Sequence, residues 1–494
     1  MSQLPYMLYR ASQVRELDRL AIEEFGISGI KLMTRAGTVV FDILRAQWPD
    51  AHNIIVVCGA GNNAGDGYVI ARLAKESGLN VTVVTLSDPG SLKGDARLAW
   101  GECKTAGVAV MPFESGCLNH TDVIVDAIFG TGLDRDVTGA WAQAISVINQ
   151  HTSPVIAVDI PSGLHADNGS VLGVAVNAQI TVSFIGLKRG LFTGHGPDYC
   201  GTVLFDDLGI PKNIYEKITV DVRRFDWPSL KHTLSPRRKT SHKGDNGHVL
   251  VIGGNNGMAG AACMAAEAAA RSGSGLTSVA MRPGYVAAMA AARPDIMWHG
   301  TNTPSDCRRA MRRATVIAIG PGLGTDRWAQ QLLAMVIERG QSGLPLILDA
   351  DALNLLAQEP YKHECWVLTP HPGEAARLLN CSVAEINNDR FGAVRQLQNQ
   401  YGGVSVLKGA GTLVCGESGT ISLCSEGNPG MAVGGMGDVL TGVVAALRAQ
   451  GLSLSEAAIA GVALHASAGD RAAKKGETGM LASDLIAELR GSIN

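Results

Sequence analysis

The run Ile54-Ile55-Val56-Val57-Cys58 leads straight into Gly59-Ala60-Gly61-Asn62-Asn63-Ala64-Gly65-Asp66-Gly67, and a helical pattern follows from Tyr68 to Lys75. Strand, glycine-rich turn and helix in that order commit the segment to an α/β architecture. Such a turn lets backbone N–H groups approach an anion, and the helix N-terminus adds the positive end of its dipole. Two asparagines and an aspartate within the turn add oxygen ligands that a bare phosphate cradle does not need.

The first half repeats this alternation. Residues 81–86, 123–129, 155–159 and 180–184 are further strand candidates, and all are near-continuous apolar runs. Runs of that kind, without alternation, indicate a parallel sheet covered on both faces. An α/β fold with a doubly wound, Rossmann-like N-terminal domain is therefore expected. Glycine is abundant at 60 of 494 residues, above the usual share of about 7%, as many tight turns would require. At this length two or three domains are expected.

From Asp226-Trp227-Pro228 to Pro236-Arg237-Arg238-Lys239-Thr240 the sequence is charged, carries proline and lacks periodicity. The domain boundary is placed there, between 1–225 and 226–494. The basic run reads as solvated linker, with Lys239 or Lys243 reaching a nucleotide phosphate as the functional alternative. A second α/β series follows, with strands at 249–252, 276–280, 316–319, 346–348, 366–368 and 404–407. A β-hairpin spans 412–424 around Gly416-Glu417-Ser418-Gly419. The halves share a class but no repeat.

Composition excludes several roles. The ten cysteines are scattered without a C-x-x-C pair, so a zinc site is not expected and reduced thiols of a cytoplasmic protein are. Aromatic residues are sparse and net charge is −3, so neither nucleic acid nor membrane partners are expected. No apolar stretch of about 18 residues offers a span. Val14, Leu17, Ala21 and Phe25 predict an amphipathic N-terminal helix capped by Ser12.

Three loops of the first half end strands with glycine plus a carboxylate or amide: the Gly59 turn, Asp126-Ala127-Ile128-Phe129-Gly130-Thr131-Gly132, and Asp159-Ile160-Pro161-Ser162-Gly163. Ligands bind at the carboxyl ends of parallel strands, so these loops line one crevice. Asn63, Asp126 and Ser162 supply oxygens for a hard cation, and one carboxylate among neutral oxygens suits a monovalent ion. Asp159 is left as acid/base group, while Asp66 alone would read as a helix cap. In the second half, Gly434-Gly435-Met436-Gly437-Asp438 opens a helix. Its N–H groups form an anion hole and Asp438 a base, against the plain reading of a capped helix. Lys408-Gly409-Ala410-Gly411-Thr412, Gly320-Pro321-Gly322-Leu323-Gly324, His371-Pro372-Gly373-Glu374 and Asp349-Ala350-Asp351 end other strands.

The motifs of the first half resemble the NAD(P)H-hydrate epimerase family over roughly residues 10–220. The resemblance implies interconversion of the R and S hydrates of NADH and NADPH. It implies that Asn62, Asn63, Ala64, Gly65 and Asp66, with Gly130, Thr131, Gly132, Leu133, Asp134, Arg135 and Asp136, hold the substrate. Asp159 would contact it as acid/base, and Asn63, Asp126 and Ser162 would bind potassium. The second half, over roughly 235–490, resembles the ADP/ATP-dependent NAD(P)H-hydrate dehydratase family. That implies a ribokinase-like fold, with Ala262, Gly322, His371 and Asp438 contacting the S-hydrate, and Lys408, Gly409, Ala410, Gly411, Thr412 and Gly437 holding ADP or ATP with magnesium. A homo-oligomer is also expected. The competing readings are a vitamin-precursor kinase of ribokinase class fused to a nucleotide-binding domain, and a non-catalytic module with remnant sites.

Overall fold

In a computed structural model, which describes residues 4–114 and 116–494, the chain divides into two units, Met1–Val222 and Arg223–Asn494. The first unit is built on a seven-stranded sheet. Across it the strands run Ala109–Pro112, Asn80–Thr85, Asn53–Cys58, Val123–Ala127, Val155–Val158, Ile180–Phe184 and Thr202–Asp206. Every neighbouring pair is parallel. The chain starts at Asn53–Cys58, winds out to one edge and then returns to wind out to the other. The switch point lies between Asn53–Cys58 and Val123–Ala127, which is where a parallel sheet opens a crevice.

Alternate side chains of a strand leave on opposite faces. Ile54, Val56 and Cys58 enter a core with Tyr68, Val69 and Ile70 of helix Asn62–Glu76. Ile55 and Val57 enter a second core with Ile145 and Ile148 of helix Gly139–Gln150. Both faces are covered, which is why these strands read as unbroken apolar runs. The glycines of the first turn are needed for close approach. A Cβ at Gly59 would lie 2.0 Å from the Ile128 carbonyl oxygen, and one at Gly67 would lie 2.7 Å from Ala127 Cβ.

In the second unit the order is Ile421–Cys424, Leu413–Cys415, Val404–Leu407, Trp366–Leu368, Leu346–Leu348, Val316–Ile319, His248–Ile252, Leu276–Met281 and Met297–Gly300, with Val222–Phe225 beside Ile421–Cys424. From Val404–Leu407 to Met297–Gly300 all pairs are parallel. The hairpin is antiparallel, as expected. Alanine-rich helices Ala259–Arg271, Met436–Ala449, Leu454–Ala472 and Ala482–Ile493 share one core.

The first helix spans Ala11–Glu23 and starts at an Arg10 cap, not at Ser12. Gln13 Oε1 accepts the Arg10 N–H at 2.8 Å and Asp167 Oδ1 accepts the Ala11 N–H at 2.7 Å, so partners from elsewhere replace a local serine cap. The helix of the glycine turn begins at Asn62, six residues before Tyr68, which leaves Asp66 inside it and not as its cap. All ten cysteines are free thiols. Among the described residues no helix is long and apolar enough to cross a membrane.

Candidate active sites

A cavity of about 910 Å³ opens at the switch point of the first unit. Asn62, Asn63 and Asp66 reach it from the start of helix Asn62–Glu76, the whole 130–136 loop forms one wall, and Asp159 enters after strand Val155–Val158. Ala64 is fully buried beneath. Gly65 is buried too, and Met33 Sδ stands 2.5 Å from where its Cβ would be. Phe129 and Trp141 stack at 4.9 Å between centroids and both line the cavity.

Asp159 has φ +73°, left-handed for a residue with a Cβ. Such a conformation costs of order 1–3 kcal/mol and persists only where the surroundings impose it. Its N–H donates to Val182 O at 2.8 Å, and its Oδ1 pairs with Lys188 Nζ. Lys188 is wholly buried and also donates to Ser183 Oγ and Phe184 O, each at 3.1 Å. Two more carboxyls share this field. Burial pushes Asp18 up to about 6, opposed by Lys188 and assisted by Asp159. Burial, then Asp159 and Asp18, push Asp66 well above the carboxylate range against Lys188. Sequence reasoning missed both Lys188 and Asp18. The one signal for Lys188 is its place in an otherwise apolar and glycine-rich segment, Phe184-Ile185-Gly186-Leu187.

Behind the cavity Asp126 is fully buried. Its carboxylate accepts the Ser162 hydroxyl at 2.6 Å, the Ser162 N–H at 2.8 Å and the Ile128 N–H at 3.2 Å. Burial pushes it up to about 6 against these bonds. Ser162 Oγ accepts the Phe129 N–H at 2.8 Å, and Asn63 Cβ lies 3.5 Å from where a Gly130 Cβ would be. Both polar atoms of the buried Asn63 side chain lack a hydrogen-bond partner. A buried amide left unpaired is costly unless a ligand completes it. One carboxylate with amide and hydroxyl oxygens fits a monovalent cation.

In the second unit the strand ends bring a second group together. Lys408 Nζ donates to Asp349 Oδ1 at 2.7 Å and lies 3.7 Å from Glu374. Thr441 donates to Asp349 Oδ2 at 2.7 Å. Burial disfavours the ammonium, but Asp349 and Glu374 outweigh it and hold Lys408 above its ordinary value. Gly437 completes the arrangement, since a Cβ there would stand 3.2 Å from Lys408 Nζ. Asp438 sits in the first turn of helix Met436–Ala449, which Gly435 caps at φ +93°. Burial and then Asp349 push its carboxyl up to about 7, while Lys408 opposes.

His371 caps helix Pro372–Leu379, its Nδ1 accepting the Gly373 N–H at 3.0 Å. Burial and then Lys408 lower its basicity. The Lys408 ammonium is taken up by Asp349, and Gly409 and Ala410 are the exposed residues of the 408–412 loop. Arg390, also missed in the sequence, is buried behind this loop and donates to Lys408 O at 3.3 Å and Gly411 O at 3.4 Å. Gly322 accepts the Asn255 N–H at 2.7 Å, and Asp351 accepts the Gly324 N–H at 2.8 Å. Ala262 is fully buried in helix Ala259–Arg271, against Gly253 and Gly254. Lys239 and Lys243 are exposed. Among the described residues no three or more His, Cys, Asp or Glu side chains form a metal cage.

Two family models match the chain: YjeF-related protein N-terminus over residues 29–190 and NAD(P)H-hydrate dehydratase over 249–490. The bifunctional NAD(P)H-hydrate repair enzyme Nnr of Coxiella burnetii is 49% identical over 489 residues, covering 99% of each chain. Its Escherichia coli counterpart is 44% identical over 492 residues, covering 99% of this chain and 95% of that one. Among solved structures, a ribokinase-like superfamily protein of Enterococcus faecalis is 32% identical with a TM-score of 0.50, covering 55% of this chain and 95% of that one.

Proposed function

This chain belongs to the bifunctional NAD(P)H-hydrate repair enzyme family, and we propose that residues 1–225 carry the epimerase and 226–494 the dehydratase. The enzyme interconverts the R and S hydrates of NADH and NADPH. It dehydrates the S form at the expense of ADP or ATP to regenerate the reduced cofactor. The observation that carries the division is that each unit has its own lysine paired with carboxylates, Lys188 with Asp159 in the first and Lys408 with Asp349 and Glu374 in the second.

The two hydrates differ at the carbon that bears a hydroxyl beside the ring nitrogen. Breaking its C–O bond sends the electron pair to oxygen, and the nitrogen lone pair forms an iminium. Water re-adds from either face and gives up its proton. Asp159 is the acid/base group facing this carbon. Asn62 to Asp66 and the 130–136 loop hold the dinucleotide, and the cavity volume falls in the range of small-molecule sites, about 300–1,000 Å³. Potassium would be held by Asn63, Asp126 and Ser162, where its charge balances the buried Asp126 carboxylate.

In the second unit, hydroxide is too poor a leaving group, so the ring hydroxyl oxygen is phosphorylated first. Asp438 takes the hydroxyl proton, and the N–H groups of Gly435 to Gly437 stabilise the transferring phosphoryl group. The ring nitrogen then expels phosphate, and proton loss restores the double bond. His371, Gly322 and Ala262 belong to the hydrate side. The 408–412 backbone and Gly437 belong to the nucleotide side. Magnesium would come with the nucleotide, whose phosphate charge it neutralises. The test is incubation of mixed R and S hydrates with ADP and magnesium. Full recovery of reduced-nicotinamide absorbance with release of inorganic phosphate is expected. A stable phosphorylated product would instead mark a kinase.

A further inference from the structure

The Lys188 side chain is completely buried, and its three ammonium protons meet three acceptors: Asp159 Oδ1, Ser183 Oγ and Phe184 O. Burying such a pair is expensive, and an apolar pair of similar volume is often as stable or more so. Asp159 is in addition held at positive φ. Two costs therefore converge on one carboxylate, and neither serves the core. The second oxygen, Oδ2, lies on the Gly130 side, 3.7 Å from where a Cβ would be, and Asp159 lines the cavity.

We propose that Lys188 is a positioning residue for epimerisation: its hydrogen bond to Oδ1 fixes the Asp159 carboxyl in one orientation, with Oδ2 on the Gly130 side of the cavity in which the hydroxyl leaves and re-adds. The role rests on the epimerase reading of this cavity. Among the described residues, Lys188 pairs with Asp159 alone of the six aspartates that line the cavity, Asp18, Asp66, Asp95, Asp134, Asp136 and Asp159. Asp18 and Asp66 lack that contact, and burial pushes both of their carboxyls up. The substrate then meets one carboxyl whose alignment is set before binding.

The test measures epimerisation of purified R-hydrate by the full chain, with kcat and KM determined separately. Lys188→Met is expected to lower kcat by about 100-fold or more while KM stays within about threefold, the pattern of an interaction made only in the transition state. Lys188→Ala should lose as much, and n-propylammonium, which matches the deleted atoms, should restore at least about tenfold. The same amine should do nothing for Asp159→Ala. A Lys188→Met kcat within threefold of wild type, or a loss that propylammonium does not restore, overturns the proposal. If wild type epimerises, Asp159→Ala does not and Lys188→Met does, only the positioning role fails. If wild type does not epimerise, the epimerase reading itself fails.

Discussion

At the scale of single residues, charge placement decides chemistry. Asp438 is pushed up to about 7 mainly by burial and by Asp349, so it becomes a proton acceptor only above that pH. Dehydratase kcat/KM should therefore rise about tenfold per pH unit below 7 and level off above it. Asp438→Asn should lower the activity by about 10²–10⁴-fold and flatten the profile, with epimerisation intact; a variant that repairs normally would remove Asp438 from the mechanism. The same shift has a stability sign. A carboxyl raised on folding favours the folded state below its unfolded pKa, and that advantage is lost as pH rises through about 7. Asp438→Asn should thus melt higher than wild type at pH 8, with the gap closing toward pH 4. Asn63 makes a separate prediction. Because its amide is buried without a partner, replacing potassium by lithium should slow epimerisation in wild type, and Asn63→Ala should lose that difference. These residues were legible in the sequence because each sits in a glycine turn that opens a helix. Lys188 and Arg390 were not. A buried lysine looks like any surface lysine until the fold brings Asp159 to it across 29 positions.

At the scale of elements, what could be read was what lies deep. Strands buried on both faces, such as Asn53–Cys58 and Val316–Ile319, announce themselves as apolar runs. Ala109–Pro112, Thr202–Asp206 and Met297–Gly300 went unseen, and all three are sheet edges with one side open. The early start of helix Asn62–Glu76 was hidden for a related reason. Its first turns hold asparagine and glycine, poor helix formers, and tertiary packing demands them. Gly320 shows how such packing reaches the chemistry. It has φ +129°, and a Cβ there would lie 1.8 Å from Asp349 O. Gly320→Ala would have to displace the loop that carries Asp349, the partner of Lys408. A loss of about 2 kcal/mol or more is expected from strain and clash together, lowering Tm by several degrees. Dehydratase activity should fall with it while epimerisation is kept. Wild-type melting and turnover in Gly320→Ala would show the loop to be more pliant than its contacts suggest.

At the scale of the whole molecule, the question is whether two reactions on one chain depend on being joined. The core clusters of the first unit run from Tyr9 to Ile214, and that of the second from Phe225 to Leu489. Each site thus draws its rigidity from its own unit. The hydrates are small diffusible dinucleotides, so an epimerase on one molecule should feed a dehydratase on another. Asp159→Ala alone should repair the S portion fast and leave the R portion at its spontaneous rate. Asp438→Ala alone should repair nothing while it continues to epimerise. Mixed together, they should carry the whole pool to completion. The slow phase should have a rate linear in the concentration of Asp438→Ala, because that protein supplies the S form through solution. Stopped-flow and long-time absorbance on one mixture measure both phases. If the mixture stalls where Asp159→Ala stalls, the S form is not passing between molecules, and fusion of the two units would then be a catalytic requirement and not only a means of making both in equal amount.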